Sequence, residues 1–279
     1  MRVVVFGATG VLGRQVVPRL VERGHRVRAV VRAPERGRAF AAFGVELCQG
    51  DILDAESVAR AVAGADAALH LATAIPKPGG AQDWTVNDRI RREGTRHLLA
   101  ACERAGCRRY LQQSVAFLCG DTGTPADEDA PLAENAFLES THDMERLVRA
   151  SSLDWCMLRG GLFYGPDTFE EGWRRAARAG TLAVPGDGRD RLSLVHVVDM
   201  ARAVAIAAEA APAGTIYHVV DDEPLSYRTL FDHIAALCAA PPPADGGAPF
   251  LPSFAAANTR ITRELGWAPA YPTYRSGLT

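Results

Sequence analysis

Seven residues near the amino terminus, Gly7-Ala8-Thr9-Gly10-Val11-Leu12-Gly13, have the types and spacing to bind a phosphate. Gly7 lets the backbone turn sharply, Gly10 lets backbone N–H groups approach a ligand, and Gly13 lets a following helix pack against the strand before it. A helix N-terminus then points unpaired N–H groups and a partial positive charge at whatever sits above the turn. A pyrophosphate meets those conditions. The turn needs a strand before it and a helix after it, and the chain supplies both. Val3-Val4-Val5-Phe6 is a β-branched run suited to a strand buried on both faces, and Val16 to Val21 is amphipathic.

A second β-branched strand, Arg26 to Val31, leads to Arg32. In dinucleotide folds an acidic residue near this point hydrogen-bonds the ribose 2′-hydroxyl of NAD, whereas an arginine receives the 2′-phosphate of NADP. Arg32, with Arg36 and Arg38 nearby, favours NADP over NAD. The alternative is a solvated basic loop, because arginine is the chain's default cation and Lys77 its single lysine.

Placed between an N-terminal strand and a helix, the glycine turn resembles the short-chain dehydrogenase/reductase superfamily, in its extended or atypical, epimerase/dehydratase-like branch. The resemblance implies that Gly7, Thr9, Gly10, Val11, Leu12 and Gly13 form the cofactor loop. It implies that Asp51 and Ile52, after a third strand at 45–50, flank the adenine, with Asp51 accepting from its amino group; Asp51 or Asp54 could instead cap the next helix. Leu71, Ala72 and Thr73, after a fourth strand at 66–71, would lie beside the cofactor ribose. His70 in that strand reads as a core histidine. Asn87 and Gly94-Thr95, in a long helix from Trp84 to Ala105, match the family's Asn and Gly-Thr positions.

The catalytic pattern breaks on the next helix. Active members pair a Ser or Thr after strand five with a Tyr-x-x-x-Lys motif, in which Tyr moves a proton at the reacting oxygen, Lys lowers its pKa and holds the ribose, and Ser hydrogen-bonds the oxygen. Aligning Glu145-Arg146-Leu147-Val148 with that helix puts Phe137 at the Tyr position and Thr141 at the Lys position, where Thr141 can still touch the cofactor. No tyrosine has a lysine four residues later, so no shift of register restores the motif. The remaining catalytic candidates are Ser114 at the end of strand five, His142 as a stand-in proton donor, and Tyr164 in a Tyr-Gly-Pro stretch. Ser114 could equally bond to backbone, and the Tyr164 hydroxyl could equally be an anchor. Glu139, His142 and Asp143 fall about 40° to 140° round a helix axis from the Phe137/Thr141 face.

Alternating strands and helices imply an α/β fold, a Rossmann-like doubly wound parallel sheet with a small C-terminal substrate-binding lobe. Residues 1–159 are assigned to the dinucleotide-binding domain, completed by about 190–220, and 160–279 mainly to the lobe, with the substrate between them. Residues 74–83 have the Pro/Gly composition of a loop able to act as a lid, and 241–252 reads as a second Pro/Gly-rich loop. His196 and Asp199 resemble a family His-Val-x-Asp segment, Asp199 capping an Ala-rich helix that runs to Ala211.

A net charge of −2 gives no electrostatic case for nucleic acid or an anionic membrane, and no run approaches the ~20 apolar residues of a membrane span. Six cysteines without a C-x-x-C pair argue against a metal site or a disulfide framework. The chain is therefore expected to be a cytoplasmic monomer or homodimer acting on a small molecule. Three functions stay open. One is an NADP-dependent oxidoreductase, biosynthetic or tailoring, acting on a carbonyl or conjugated double bond with a non-standard proton donor. The others are a redox-neutral cyclase, isomerase or dehydratase that keeps the nucleotide as scaffold, and a non-catalytic NADP-sensing binding protein.

Overall fold

Strand β1 (Arg2–Phe6) is the strand from which the sheet is laid out, and Val3 to Phe6 are buried as a run without alternation requires. In a computed structural model, which describes residues 1–76, 83–248 and 251–279, β1 pairs in parallel with β2 (Arg26–Val31) and β4 (Ala67–His70). β3 (Glu46–Gln49) extends the sheet beyond β2, and β5 (Arg109–Val115) beyond β4, both in parallel. With β6 (Asp154–Gly160) and β11 (Thr215–Val219) the order is β11-β6-β5-β4-β1-β2-β3. The chain runs outward through β2 and β3, then returns to the far side of β1, so the order reverses between β1 and β4. A Rossmann-like doubly wound sheet opens a crevice at that point.

Helices cover this sheet. α1 (Val11–Glu22) starts directly after Gly10, five residues before the amphipathic segment read from sequence, and it tolerates Pro18 in its interior. α2 (Ala55–Val62) is capped by Asp54, whose carboxylate accepts from Glu56 N–H, which settles the capping role on Asp54. The long helix from Thr85 forms in three pieces: α3 (Thr85–Arg89), a π turn (Ile90–Gly94) and α4 (Thr95–Ala105). A 3₁₀ turn (Ala136–Leu138) leads into α5 (Glu139–Arg149), so Phe137 precedes the α-helix rather than lying on it. Phe6, Val58, Val62, Leu98, Tyr110, Val148 and Met157 join one core from sheet and helices.

The chain divides into two compact units. The first holds Met1–Ser114, Asn135–Leu158 and Ala201–Ile216; the second holds Val115–Glu134, Arg159–Met200 and Tyr217–Thr279. The second carries short paired strands. β7 (Leu162–Tyr164) pairs with β10 (Leu194–His196), β9 (Arg191–Leu192) with β12 (Leu225–Ser226), and β8 (Ala183–Pro185) with β13 (Ala244–Gly247). β13 lies inside the segment read as a loop. Its Ala-Asp-Gly-Gly sequence gives no strand signal, and pairing with β8 imposes the extended backbone. Residues 77–82 of the lid segment, Lys77 among them, and Pro249-Phe250 lie outside the described residues.

α6 (Glu170–Arg178), α7 (Val197–Ala210), α8 (Tyr227–Leu237), α9 (Thr259–Leu265) and α10 (Tyr274–Gly277) complete the chain. On α8, Leu230 and Ile234 are buried while Leu237 stays exposed. Asp199 falls within the first turn of α7, and its carboxylate reaches the tail, accepting from Ala270 and Tyr271 N–H at 2.9 Å each. Trp267 is buried and donates its indole N–H to the Asp199 carbonyl. No helix among the described residues is long and apolar enough to cross a membrane.

Asp221 is the most perturbed carboxyl of the second unit. It is buried, and burial pushes it up to about 8; the charges of Asp222, Glu223 and Asp199 add to the rise, while a bond from Glu223 N–H opposes it. Between the ordinary value of 3.8 and 8 the folded chain keeps a proton that the unfolded chain releases, so stability falls as pH rises through that window. Urea midpoints measured from pH 5 to pH 8.5 are expected to fall, with Asp221→Asn removing most of the slope; an unchanged slope in the variant would place its origin elsewhere.

Candidate functional site

The crevice beside β1 is shaped by backbone contact. Gly7 has φ +87°, and a β-carbon there would lie 2.5 Å from both Ala72 N and the Leu71 carbonyl carbon. The turn after β1 therefore touches the segment after β4, where Leu71, Ala72 and Thr73 follow one another. A β-carbon on Gly13 would lie 2.2 Å from the Gly7 carbonyl oxygen, so α1 packs directly on the turn. Gly10 differs: Gly7 O alone comes within 4 Å of such a carbon, at 3.2 Å, which leaves its outer face open. Gly10 also serves as the N-cap of α1 with no side-chain cap and no acidic residue in the first turn. Those N–H groups are free to meet an anion, and the cradle fits a pyrophosphate. Thr9 and Val11 are half-buried on the turn, and Leu12 anchors it from the core.

Arg32 extends from the end of β2 into solvent and forms no ion pair among the described residues. It lines a cavity of about 320 Å³ together with Gln49, Gly50, Asp51, Asp54, Ser57 and Arg60. Arg36 and Arg38 belong to a 3₁₀ turn (Pro34–Phe43) and are exposed. Asp51 is shaped locally: its Oδ1 accepts from Leu53 N–H, and Ser57 Oγ bridges its backbone. Ile52 is buried against Gly94. Two arginines and two carboxylates, Asp51 and Asp54, line this cavity, and the arginines with Asp51 can serve a phosphorylated ribose next to a purine amine. Arg60, from α2, was not singled out by the sequence, since an exposed helix arginine has no local signal.

The residues around α5 are placed as follows. Ser114 is buried, and its hydroxyl donates to Glu145 Oε1 at 2.7 Å. Glu145 is itself buried and lies 3.5 Å from Arg149. Thr141, one turn before Glu145, is fully buried, and its Oγ1 has no hydrogen-bond partner among the described residues. Phe137 meets Trp84 edge to face at 5.0 Å between centroids. His142 is half-buried, Glu139 is exposed, and Asp143 pairs with Arg92 at 2.5 Å and with Arg146. His70 is buried at the end of β4, with no hydrogen-bond partner for either ring nitrogen among the described residues, and burial draws it down to about 4, so its ring is neutral at physiological pH.

Tyr164 belongs to the second unit. It is buried, donates to Thr273 O at 3.4 Å, and packs edge-on against His196, whose ring lies 4.0 Å from that of Tyr271. Burial pushes its phenol well above the ordinary value.

A family model described as NAD(P)H-binding matches residues 7–182. A Streptomyces protein named 3-diazoavenalumate denitrifying reductase is 36% identical, covering 100% of this chain and 99% of that one. A 2-alkyl-3-oxoalkanoate reductase from Stenotrophomonas maltophilia is 30% identical over 86% of this chain and 77% of its own length. The crystal structure of a dTDP-glucose 4,6-dehydratase from Streptomyces venezuelae with NAD bound superposes with a TM-score of 0.88. It is 25% identical and covers 100% of this chain and 94% of that one.

Ser114→Ala removes a hydroxyl from a buried carboxylate without enlarging any side chain. Unfolding in urea should show a loss of roughly 1–3 kcal/mol, the cost of leaving a buried acceptor short of a donor. A loss too small to measure would mean that Glu145 is satisfied without Ser114.

Proposed function

The chain belongs to the NAD(P)H-binding, extended short-chain dehydrogenase/reductase family, and from that premise we propose that it is an NADPH-dependent reductase whose acceptor takes a hydride without needing a proton from the protein. The observation that carries this reading is that no tyrosine of the chain has a lysine four residues later, and the alignment read from the sequence sets Phe137 and Thr141 at the positions of the family's proton donor and lysine. When bound, the reduced nicotinamide supplies a hydride. A carbonyl that accepts one becomes an alkoxide and requires a proton. An arenediazonium carbon that accepts one forms a C–H bond while its C–N bond breaks, the bonding pair leaving with dinitrogen, and charge balances with no proton transferred.

Such an acceptor suits this chain better than the carbonyl or conjugated double bond expected from the sequence. Ser114 directs its hydroxyl proton to Glu145, which leaves that hydroxyl no second proton to offer a substrate oxygen. Phe137 and Trp84 present aromatic surface that an arene can stack on. The full-length likeness to a protein named for a diazo substrate supports the same class. Arg32, aided by Arg60, would receive the 2′-phosphate of NADP, and the Gly7–Gly13 turn its pyrophosphate.

Incubating the protein with NADPH and 3-diazoavenalumate, or a simple arenediazonium carboxylate, should consume NADPH and release dinitrogen in equal amounts, well above the protein-free rate. A panel of ketones and enones should give little. Vigorous ketone reduction with no denitrogenation would overturn this reading, and turnover without net nicotinamide oxidation would favour the redox-neutral alternative. Separately, Arg32→Asp should weaken NADPH binding by roughly tenfold or more while changing NADH binding little, as loss of a charge-assisted phosphate contact predicts. Equal losses for both cofactors would sink the NADP assignment.

A further inference from the structure

Three arginines lie in sequence at the junction of α3 and the π turn, and one of them is unlike the others. Arg89 forms a two-bond pair with Glu93, and Arg92 pairs with Asp143. Arg91 has no ion pair within salt-bridge distance among the described residues. It donates from Nη1 to Ser140 Oγ at 3.1 Å, and Ser140 donates in turn to Asp88 Oδ1 at 2.6 Å. Asp88 thus attracts Arg91 through an intervening hydroxyl rather than by direct contact. The side chain is half-buried, and burial draws the guanidinium down to about 10, still charged at neutral pH. A guanidinium carries five N–H donors in a planar fork. Among the described residues, Ser140 is the one hydrogen-bond partner of this fork.

Its location gives the spare donors a use. Ser140 adjoins Thr141 in sequence, the position at which the alignment sets the family's lysine, and of the Trp84–Phe137 ring pair Phe137 stands one turn before Thr141 and Trp84 about two turns before Arg91. Thr141 contributes no charge, and its buried Oγ1 has no partner among the described residues. The cation beside this position therefore comes from the neighbouring helix, held by Ser140 and presented from a π turn, an irregularity that recurs at functional sites. A carboxylate matches a guanidinium fork with two parallel bonds, which a ribose hydroxyl cannot do.

We propose that Arg91 is the anion-binding residue of the substrate site and selects acceptors that carry a carboxylate beside their aromatic ring. This rests on the reading that the substrate binds beside Phe137 and Thr141, at the start of α5. Ser140 is a positioning residue for the guanidinium.

The test uses binding, so that it stands apart from turnover. Calorimetric titration of the full chain saturated with NADPH, using trans-cinnamate and neutral trans-cinnamamide, should show a preference for the carboxylate of about tenfold or more, the scale of one charge-assisted contact. Arg91→Gln should abolish the preference with NADPH affinity unchanged within about twofold. Arg91→Lys, which keeps the charge but not the fork, should retain part of it, and this variant serves if Arg91→Gln does not fold. Equal affinities in the wild type, or a preference that survives in Arg91→Gln, would overturn the proposal. So would weaker NADPH binding with the carboxylate preference intact, which would give Arg91 to the ribose. A cinnamate preference without any denitrogenation would leave the anion site standing and remove the proposed acceptor class instead.

Discussion

The near-contact of Gly7 with two other backbone segments is the constraint on which the first unit depends. Its φ of +87° and the 2.5 Å clearance to Ala72 leave no room for a side chain, and Gly13 is held just as closely to the Gly7 carbonyl. Strand β1, helix α1 and the end of β4 are thereby brought together with only backbone between them. The sheet order reverses at that point, so the bare backbone faces an open crevice at the carboxyl ends of the strands. An uncapped helix N-terminus in such a crevice has the geometry that suits an anion. The core beneath, with Phe6, Val58 and Leu98 in one cluster, keeps the turn from relaxing.

Around α5 the same fold carries different chemistry. Burial of Glu145 is tolerable because Ser114 supplies a hydrogen bond and Arg149 a nearby charge. That arrangement commits the strand-end hydroxyl to holding the helix on the sheet. Phe137, just before the helix, packs on Trp84, and Thr141 is sealed from water, so this stretch presents an aromatic ring and a buried hydroxyl. Two cations reach this helix from the π turn, Arg91 and Arg92, and they are tied to α5 by Ser140 and Asp143. Substrate choice in the proposed reaction is then a matter of what accepts a hydride without a proton and what an unpaired guanidinium will hold.

Buried polar groups tie the second unit together beside its short regular elements. Asp199 binds two tail N–H groups, Trp267 bonds its carbonyl, and Glu128 accepts from His218 N–H while Arg260 lies 3.4 Å away. Short strands of two to four residues would be marginal alone. Buried Asp221, pushed up to about 8, ties the stability of this unit to pH.

The sequence by itself determined the parts that depend on local chemistry. The β-branched runs of β1 and β2, the glycine spacing, a helix cap at Asp51 or Asp54 and the missing Tyr-x-x-x-Lys pair are all properties of neighbouring residues, and each could be read in order. It could not show that Phe137 sits in a 3₁₀ turn, since one residue of helical irregularity leaves no trace in side-chain periodicity. Nor could it show β13, whose extended form comes from β8, or the partner of Ser114, thirty-one residues away in Glu145. Arg60 and Arg91 look like any other exposed helical arginines in a chain rich in them. Only the tertiary structure decided that one lines a cavity with Arg32 and the other lies half-buried and bonded to Ser140, because a charge acquires its role from the groups that long-range packing brings around it, and sequence distance carries no record of those groups.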